Sequence, residues 1–283
     1  MTIENFKNKF KTELSELYTD SETDFLYSVF VEKILGLNQI QQRMMSAQQL
    51  SNVNETQLQN ILSELKTGKP YQHILGETEF YGMTFFVNEN VLIPRPETEE
   101  LLEIAISKIK SSDFDLQDLK ILDIGTGSGI IPLVLKKHFP NSEVSSIDFS
   151  EKALEVAKGN AVFHQLDINF IHADYLNFDL NKMYDIIISN PPYIGIEEEL
   201  EIEDSVKGFE PTMALFSPTA DALIFYKKIA KDSVKYLNKN GLLFLEINQK
   251  LGQETLDLYQ TNFSKAELIK DLSGNDRFVI GLK

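Results

Sequence analysis

Apolar residues recur at three- and four-residue steps along the first sixty-five or so positions. Phe6, Phe10, Leu14 and Leu17 form one stripe. Phe25, Leu26, Val29, Phe30, Ile34 and Leu35 form a second, with Gly36 as a stop. Leu58, Ile61, Leu62 and Leu65, beginning at Gln57, form a third, ended by Gly68 and Pro70. The spacing predicts helices from residue 2 to about 66, packed as a small bundle. Its outer face is either plain solvated surface or a partner-recognition surface. Phe80, Met83, Phe85 and Val87, then Val91 and Ile93, flank Asn88-Glu89-Asn90, which predicts a β-hairpin. From Pro96 a helix over 97–110 follows, with acidic residues in a first turn that suits the helix dipole. Strands and helices then alternate to the end. That order predicts an α/β fold with a mostly parallel sheet covered by helices on both faces. The segments 266–269 and 278–281 read as a closing pair, one strand of it antiparallel.

Within the alternating region, Ile121-Leu122-Asp123-Ile124-Gly125-Thr126-Gly127-Ser128-Gly129-Ile130 is a strand that ends in glycines. A helical pattern follows through Ile131, Leu133, Val134 and Leu135, the opening of a nucleotide-binding βαβ unit. Glycines there allow positive φ and close approach of the backbone to a ligand. No Gly-Lys-Ser/Thr follows, so the loop is not a phosphate-cradling P-loop. The spacing is G-x-G-x-G, not G-x-G-x-x-G, which disfavours a dinucleotide pyrophosphate. Asp123, two residues before the first glycine, suits a cationic or amine-bearing ligand better than a phosphate.

Three further strand ends carry chemistry. The run 143–147 ends at Asp148, about twenty positions past the glycines, where a carboxylate can accept hydrogen bonds from both ribose hydroxyls. The alternative for Asp148 is a helix cap, although Ser150 is the better one. The run 169–172 leads to Asp174-Tyr175, an acid and a ring suited to an adenine amino group and its face. The run 184–189 closes on Asn190-Pro191-Pro192-Tyr193. Two prolines make the turn stiff, so the Asn190 side-chain oxygen and the Pro191 carbonyl can stand side by side. Paired acceptors suit a planar NH₂ group, and the Tyr193 ring can cover the flat face of its carrier. All these positions lie at the carboxyl ends of strands, where open α/β sheets bind ligands.

Together, Asp123-x-Gly125-x-Gly127-x-Gly129, Asp148 and Asn190-Pro191-Pro192-Tyr193 resemble the S-adenosylmethionine-dependent methyltransferases that act on an exocyclic or amide nitrogen. Further stretches narrow the resemblance. Glu79-Phe80-Tyr81-Gly82 leads into Val91-Leu92-Ile93-Pro94-Arg95-Pro96-Glu97-Thr98. Phe209-Glu210-Pro211, Ala214-Leu215-Phe216, Gly241-Leu242-Leu243-Phe244-Leu245-Glu246-Ile247 and Asp271-Leu272-Ser273-Gly274-Asn275-Asp276-Arg277 follow. These resemble the release-factor glutamine methyltransferases, the PrmC or HemK family, from about Gly68 to the C-terminus. Before that only the helical character matches.

The resemblance implies a Rossmann-like methyltransferase sheet over residues 95–283, a helical substrate-recognition domain over 1–75 and a hairpin connector over 76–94. It implies S-adenosylmethionine as cofactor, leaving as S-adenosylhomocysteine. Asp123, Gly125, Thr126, Gly127, Ser128, Gly129, Asp148, Asp174, Tyr175 and Asn190 would bind it. Asn190, Pro191 and Tyr193 would be catalytic, with Pro192 joining them in substrate binding. The acceptor would be the glutamine of the Gly-Gly-Gln motif in a peptide chain release factor, in the cytoplasm, with the enzyme a monomer. No metal is expected. A nucleic-acid amino methyltransferase, acting on adenine N6 or rRNA guanine N2, shares the turn and is the alternative; its mark would be a basic target-recognition domain, which this chain lacks. A non-catalytic cofactor-binding protein is a third reading, disfavoured because Asn190 and the acidic cofactor positions are intact.

Composition changes the picture in four places. A chain of 283 residues can bury one sizeable core and a small second domain. There is no cysteine, which removes disulfides, thiol nucleophiles and cysteine-based zinc sites and suits a reducing compartment. No apolar run approaches the length of a membrane span, and Met1-Thr2-Ile3-Glu4-Asn5 is too polar for a signal peptide. The formal net charge is −16, and the cluster Lys7, Lys9 and Lys11 is too short for a phosphate-gripping patch. Direct contact with nucleic acid is therefore not expected, whereas a basic protein partner is compatible.

A sulfonium methyl is electrophilic without help, so alignment is the main demand on such an enzyme. An amide nitrogen is a poor nucleophile because its lone pair is delocalised. If Asn190 Oδ1 and the Pro191 carbonyl accept its two hydrogens, the lone pair is aimed and growing positive charge is stabilised. No strong general base is needed, and His73, His138, His164 and His172 read as structural or surface residues. Arg95, between two prolines, either orients the hairpin or holds a carboxylate, Glu97 or Glu210. The acidic run Glu197-Glu198-Glu199-Leu200-Glu201-Ile202-Glu203-Asp204 is either a solvated loop or a gate that meets a basic part of the release factor. As a gate, its charge reversal would slow methylation more at low salt than at high salt.

Overall fold

The computed structural model describes residues 1–195 and 208–283, so the acidic run 197–204 lies outside the described residues. The described chain divides into two compact units. One comprises Met1–Gly76 together with residues 208–209; the other holds the remaining described residues from Glu77 onward.

The first unit is helical: α1 Ile3–Leu14, α2 Asp20–Leu35, α3 Gln39–Met44, α4 Asn52–Leu65 and α5 Tyr71–Leu75. The ends follow the sequence. Thr19 and Glu22 form a reciprocal capping box at the start of α2, and Gly36 closes it at φ 68°. Phe6, Phe10, Leu14, Tyr27, Phe30, Leu58, Leu62 and Leu65 make the core. Two stripe positions depart from expectation. Leu17 is exposed because α1 stops at Leu14 and the period no longer carries it inward. Phe25 is half exposed and meets the Tyr71 ring edge-on at 5.5 Å.

The second unit opens with the hairpin, but its turn is not at Asn88-Glu89-Asn90. Strands β1 Glu77–Phe80 and β2 Met83–Phe86 pair with Phe80 opposite Met83, leaving Tyr81-Gly82 as a two-residue turn. Both turn residues have positive φ, 51° and 65°, the geometry whose twist matches paired strands. The apolar residues Val87, Val91 and Ile93 are buried without forming a strand. The hairpin is tied to the helices on either side of it. The Tyr81 hydroxyl donates to Glu103 in α6 (Pro96–Lys110), and Asn160 in α8 (Glu151–His164) bonds both the Phe86 N–H and its carbonyl.

The sheet has seven strands. In chain order they are β3 Lys120–Ile124, β4 Glu143–Asp148, β5 Asn169–His172, β6 Tyr184–Ser189, β7 Leu237–Glu246, β8 Lys265–Lys270 and β9 Asp276–Leu282. Their spatial order is β5-β4-β3-β6-β7-β9-β8. Every pairing is parallel except those of β9, which runs antiparallel to both β7 and β8. The mostly parallel sheet with one antiparallel strand near the C-terminus is therefore present as the alternation predicted.

The central strands β3, β6 and β7 are largely apolar on both faces because both are covered. Ile121, Ile186, Ile188, Phe244 and Phe278 pack with α6 and α7 (Ile130–His138). Leu122, Ile187, Leu243, Leu245 and Val279 pack on the other side with α9 (Ile224–Tyr236) and α10 (Gly252–Gln260). Strand order reverses direction between β3 and β6, and at such a switch point the following segments part and leave a crevice at the carboxyl ends.

Candidate functional site

That crevice is a cavity of about 460 Å³, within the range of small-ligand sites. It gathers four strand ends. From the glycine turn come Gly125, Thr126, Gly127 and Ser128; from the end of β4, Asp148; from beyond β5, Asp174 and Tyr175; from beyond β6, Asn190, Pro191 and Pro192. Three predicted positions do not reach its wall: Asp123, Gly129 and Tyr193. Residues 90–98 close one side through Val91, Leu92, Pro94, Arg95 and Thr98, and Met213, Phe216 and Phe225 close another.

The glycine turn is built for close approach. Gly125 has φ 88°, and a Cβ there would stand 3.5 Å from the Asn190 carbonyl oxygen. Gly129 works differently. Its missing Cβ would come within 3.1 Å of the Ala157 Cβ, so it serves the packing of α7 on α8. Asp123 lies beneath the turn, fully buried. It accepts from the Ser146 hydroxyl at 2.5 Å, so the 2.5 Å contact between Ser146 and Thr126 has Thr126 as donor. The carboxylate thus anchors the loop from below. Its Oδ1 has no partner among the described residues, and burial pushes its pKa up to about 7. Asp148 Oδ2 accepts the Gly127 N–H at 2.9 Å and Oδ1 the Ser150 N–H at 2.8 Å, while burial raises its pKa. Ser150 is the actual cap of α8, accepting from Ala153.

Beyond β5, Asp174 accepts from the Leu176 N–H and the Asn177 side chain. The Tyr175 ring is buried, and its hydroxyl donates to Asp232 at 2.9 Å. It contributes a fixed wall to the cavity. None of the four histidines lines it. His164 Nε2 pairs with the Thr84 carbonyl and His172 Nε2 with the Phe149 carbonyl.

At the end of β6, the Asn190 side chain is held by its nitrogen: Nδ2 donates to Thr98 Oγ1 at 3.1 Å. The Thr98 hydroxyl donates to Glu246 Oε2 at 2.7 Å, and the Tyr193 hydroxyl donates to Glu246 Oε1 at 3.3 Å. Glu246, the last residue of β7, is fully buried, which pushes its pKa up to about 7. Among the described residues Asn190 Oδ1 has no hydrogen-bond donor. Arg95 holds a carboxylate, and it is Glu210: Nη2 meets Oε1 at 2.6 Å, while Glu210 Oε2 accepts the Ile93 N–H at 2.9 Å.

Sequence reasoning did not single out Thr98, Ser146 or Glu246. The available signal was a carboxylate ending the unbroken apolar run 242–245, a position that requires buried partners.

The seven-stranded sheet with its glycine turn and carboxyl-end crevice is a methyltransferase fold. It superposes on a methyltransferase from Pyrococcus furiosus with a TM-score of 0.53 at 17% identity, covering 78% of this chain and 98% of that one. The family model for the methyltransferase small domain matches residues 103–206, and that for the PrmC N-terminal domain matches residues 8–76. A release factor glutamine methyltransferase of Flavobacterium psychrophilum is 44% identical over 99% of this chain and 98% of its own length. One from Streptococcus pneumoniae is 39% identical over 82% of each. The chain belongs to the release factor glutamine methyltransferase family.

Proposed function

We propose that the protein transfers a methyl group from S-adenosylmethionine to the side-chain amide nitrogen (N5) of the glutamine in the Gly-Gly-Gln motif of peptide chain release factors. One observation carries this reading for the chain itself. Asn190 is anchored through its nitrogen, its side-chain oxygen has no donor among the described residues, and Asn190 and Pro191 both line the cavity. An oxygen pair at that point suits a primary amide that must present both hydrogens.

The cavity residues fit the cofactor. Gly125 and Gly127 keep positive φ and no side chain beside the cavity, and the half-buried carboxylates Asp148 and Asp174 line it as well. Asp148 retains lone pairs for ribose hydroxyls, Asp174 for an adenine amino group, and Tyr175 gives the base a fixed wall. Thr126 and Asp123 hold the loop that these contacts need through Ser146, Ser128 does so through its backbone carbonyl, which accepts from Asn160, and Gly129 seats its helix. When bound, the cofactor supplies an electrophilic sulfonium methyl. Asn190 and Pro191 then orient the amide nitrogen and stabilise the positive charge it acquires. Pro192 stiffens the turn, and Tyr193 braces it through Glu246.

Residues 1–75 serve as the substrate-recognition domain, 76–94 as connector and 95–283 as the catalytic domain. The enzyme works as a cytoplasmic monomer on a protein substrate without gripping nucleic acid. Among the described residues no helix is long and apolar enough to cross a membrane. The test is transfer from labelled S-adenosylmethionine to a purified release factor, to its Gly-Gly-Gln glutamine→Glu variant and to DNA. Label on the first alone supports the reading; label on the variant or on DNA overturns it.

A further inference from the structure

A carboxamide can be rotated by 180° about its last bond with almost no change in shape, exchanging its oxygen for its NH₂. For the proposed reaction the difference is total. With the oxygen toward the cavity, Asn190 accepts a hydrogen from the substrate amide. With the NH₂ there, two donors face each other. Packing does not distinguish the orientations, so a hydrogen bond has to.

We propose that Glu246 and Thr98 are positioning residues that fix the polarity of the Asn190 carboxamide, and so set which end of it meets the substrate. This proposal rests on the reading of Asn190 given above.

The logic follows the donors and acceptors one by one. An ionised carboxylate only accepts. Glu246 Oε2 therefore takes the single hydroxyl hydrogen of Thr98, at 2.7 Å. With that hydrogen committed, Thr98 Oγ1 can only accept toward Asn190, and the group that can donate there is Nδ2, at 3.1 Å. Oδ1 is left for the cavity. The remaining Glu246 oxygen takes the Tyr193 hydroxyl at 3.3 Å, which ties the far end of the same turn to the same carboxylate. Three distant stretches meet here: the first turn of α6, the end of β6 and the end of β7. A fully buried carboxylate needs such partners to be tolerated.

A donor in place of the Glu246 carboxylate reverses the chain. In Glu246→Gln the new side-chain amide can donate to Thr98 Oγ1, which frees the Thr98 hydrogen to donate to Asn190 Oδ1 and turns NH₂ toward the cavity. A proton on Glu246 Oε2 does the same. The carboxyl is desolvated, with Glu97 of α6 opposing its charge and Arg277 of β9 favouring it. Arg277 itself pairs with Asp271 at 3.0 Å. The Tyr193 hydroxyl faces the carboxyl, and the Tyr226 hydroxyl bonds the Glu246 backbone carbonyl.

The test uses the full-length enzyme, purified release factor and four forms: wild type, Glu246→Gln, Thr98→Val and Thr98→Ser. Glu246→Gln and Thr98→Val should lose about 10²- to 10³-fold in kcat. Calorimetric affinity for S-adenosylmethionine should stay within about threefold of wild type in all four. Thr98→Ser, which keeps the hydroxyl, should recover most of the rate. Wild-type kcat should fall on the acid side of about pH 7 as Glu246 takes up its proton, and that limb should be missing from Glu246→Gln. Near-wild-type kcat in Glu246→Gln, or equal losses in Thr98→Ser and Thr98→Val, overturns the proposal. A substrate-free readout separates it from the functional reading. With ¹⁵N-asparagine labelling, the Asn190 side-chain amide hydrogens should exchange slowly in wild type and Thr98→Ser and fast in the other two. Indistinguishable exchange in all four overturns the relay even if methylation is as proposed. Slow exchange in an enzyme that leaves release factor unmodified keeps the relay and defeats the function.

Discussion

Among the described residues of the helical unit, the buried polar side chains are Thr23, Ser28, Gln42 and His73, none of them a carboxylate. In the sheet unit Asp123, Glu210, Asp232, Glu246 and Asp271 are all buried. The first unit gains stability by withdrawing Phe6, Phe10, Phe30 and their neighbours from water. The second accepts costly desolvated charges, and four of the five, Asp123, Glu210, Asp232 and Glu246, hold segments that line the cavity. Buried charge here marks the places where orientation matters more than stability.

Substitutions can sharpen or break that contrast. Phe10→Ala should cost the helical unit about 3–5 kcal/mol in denaturant unfolding, since its ring is almost wholly enclosed. A cost under about 1 kcal/mol would mean the core is not what holds this unit. Asn190→Ala should lower the methyl-transfer rate about 10²- to 10³-fold, equivalent to about 2.7–4 kcal/mol, while leaving the melting temperature nearly unchanged. Loss of stability without loss of rate would reverse the roles assigned to the two regions.

Asp123→Asn tests the charge cost through pH. Asp123 has its pKa raised from 3.8 to about 7 in the folded chain, so the folded state keeps the proton longer than the unfolded one. Its favourable contribution is complete below about pH 4 and lost as pH rises through 7. The variant should therefore melt higher than wild type at pH 8, by about 2–4 °C for each kcal/mol recovered, and the gain should shrink at pH 5. A gain that is larger at pH 5 than at pH 8 would contradict this assignment. Gly125→Ala, at φ 88°, should introduce about 1–2 kcal/mol of backbone strain and weaken S-adenosylmethionine binding roughly tenfold by calorimetry. Thr19→Ala removes half of a capping box and should cost about 1 kcal/mol, read as a small shift in helical-unit unfolding. That last change should leave the methylation rate untouched.

Much of the molecule was legible in the chain because its signals are local. The glycine turn, the ends of β3, β4, β5 and β6, the cap at Ser150 and the stop at Gly36 each depend on a few neighbouring residues. The hairpin turn was misplaced because Tyr81 supplies a positive φ that a tyrosine seldom adopts, while Asn88-Glu89-Asn90 carries the usual turn composition. Arg95 was read as either orienting the hairpin or holding a carboxylate, and its choice of Glu210 joins residues 115 positions apart. Thr98 and Glu246 are separated by 148 positions, and nothing local hints that they meet.

What the sequence determined by itself is the order of helices and strands, the apolar character of the central strands and the chemistry waiting at their carboxyl ends, since these follow from periodicity and residue type. What only the tertiary structure decided is which polar atoms face one another. Asp123 proved an anchor beneath the loop, Tyr193 a brace, and Asn190 a carboxamide held by its nitrogen. The reason is physical: hydrogen-bond direction depends on the relative placement of strand ends to within an ångström, and no local pattern of residues encodes that distance.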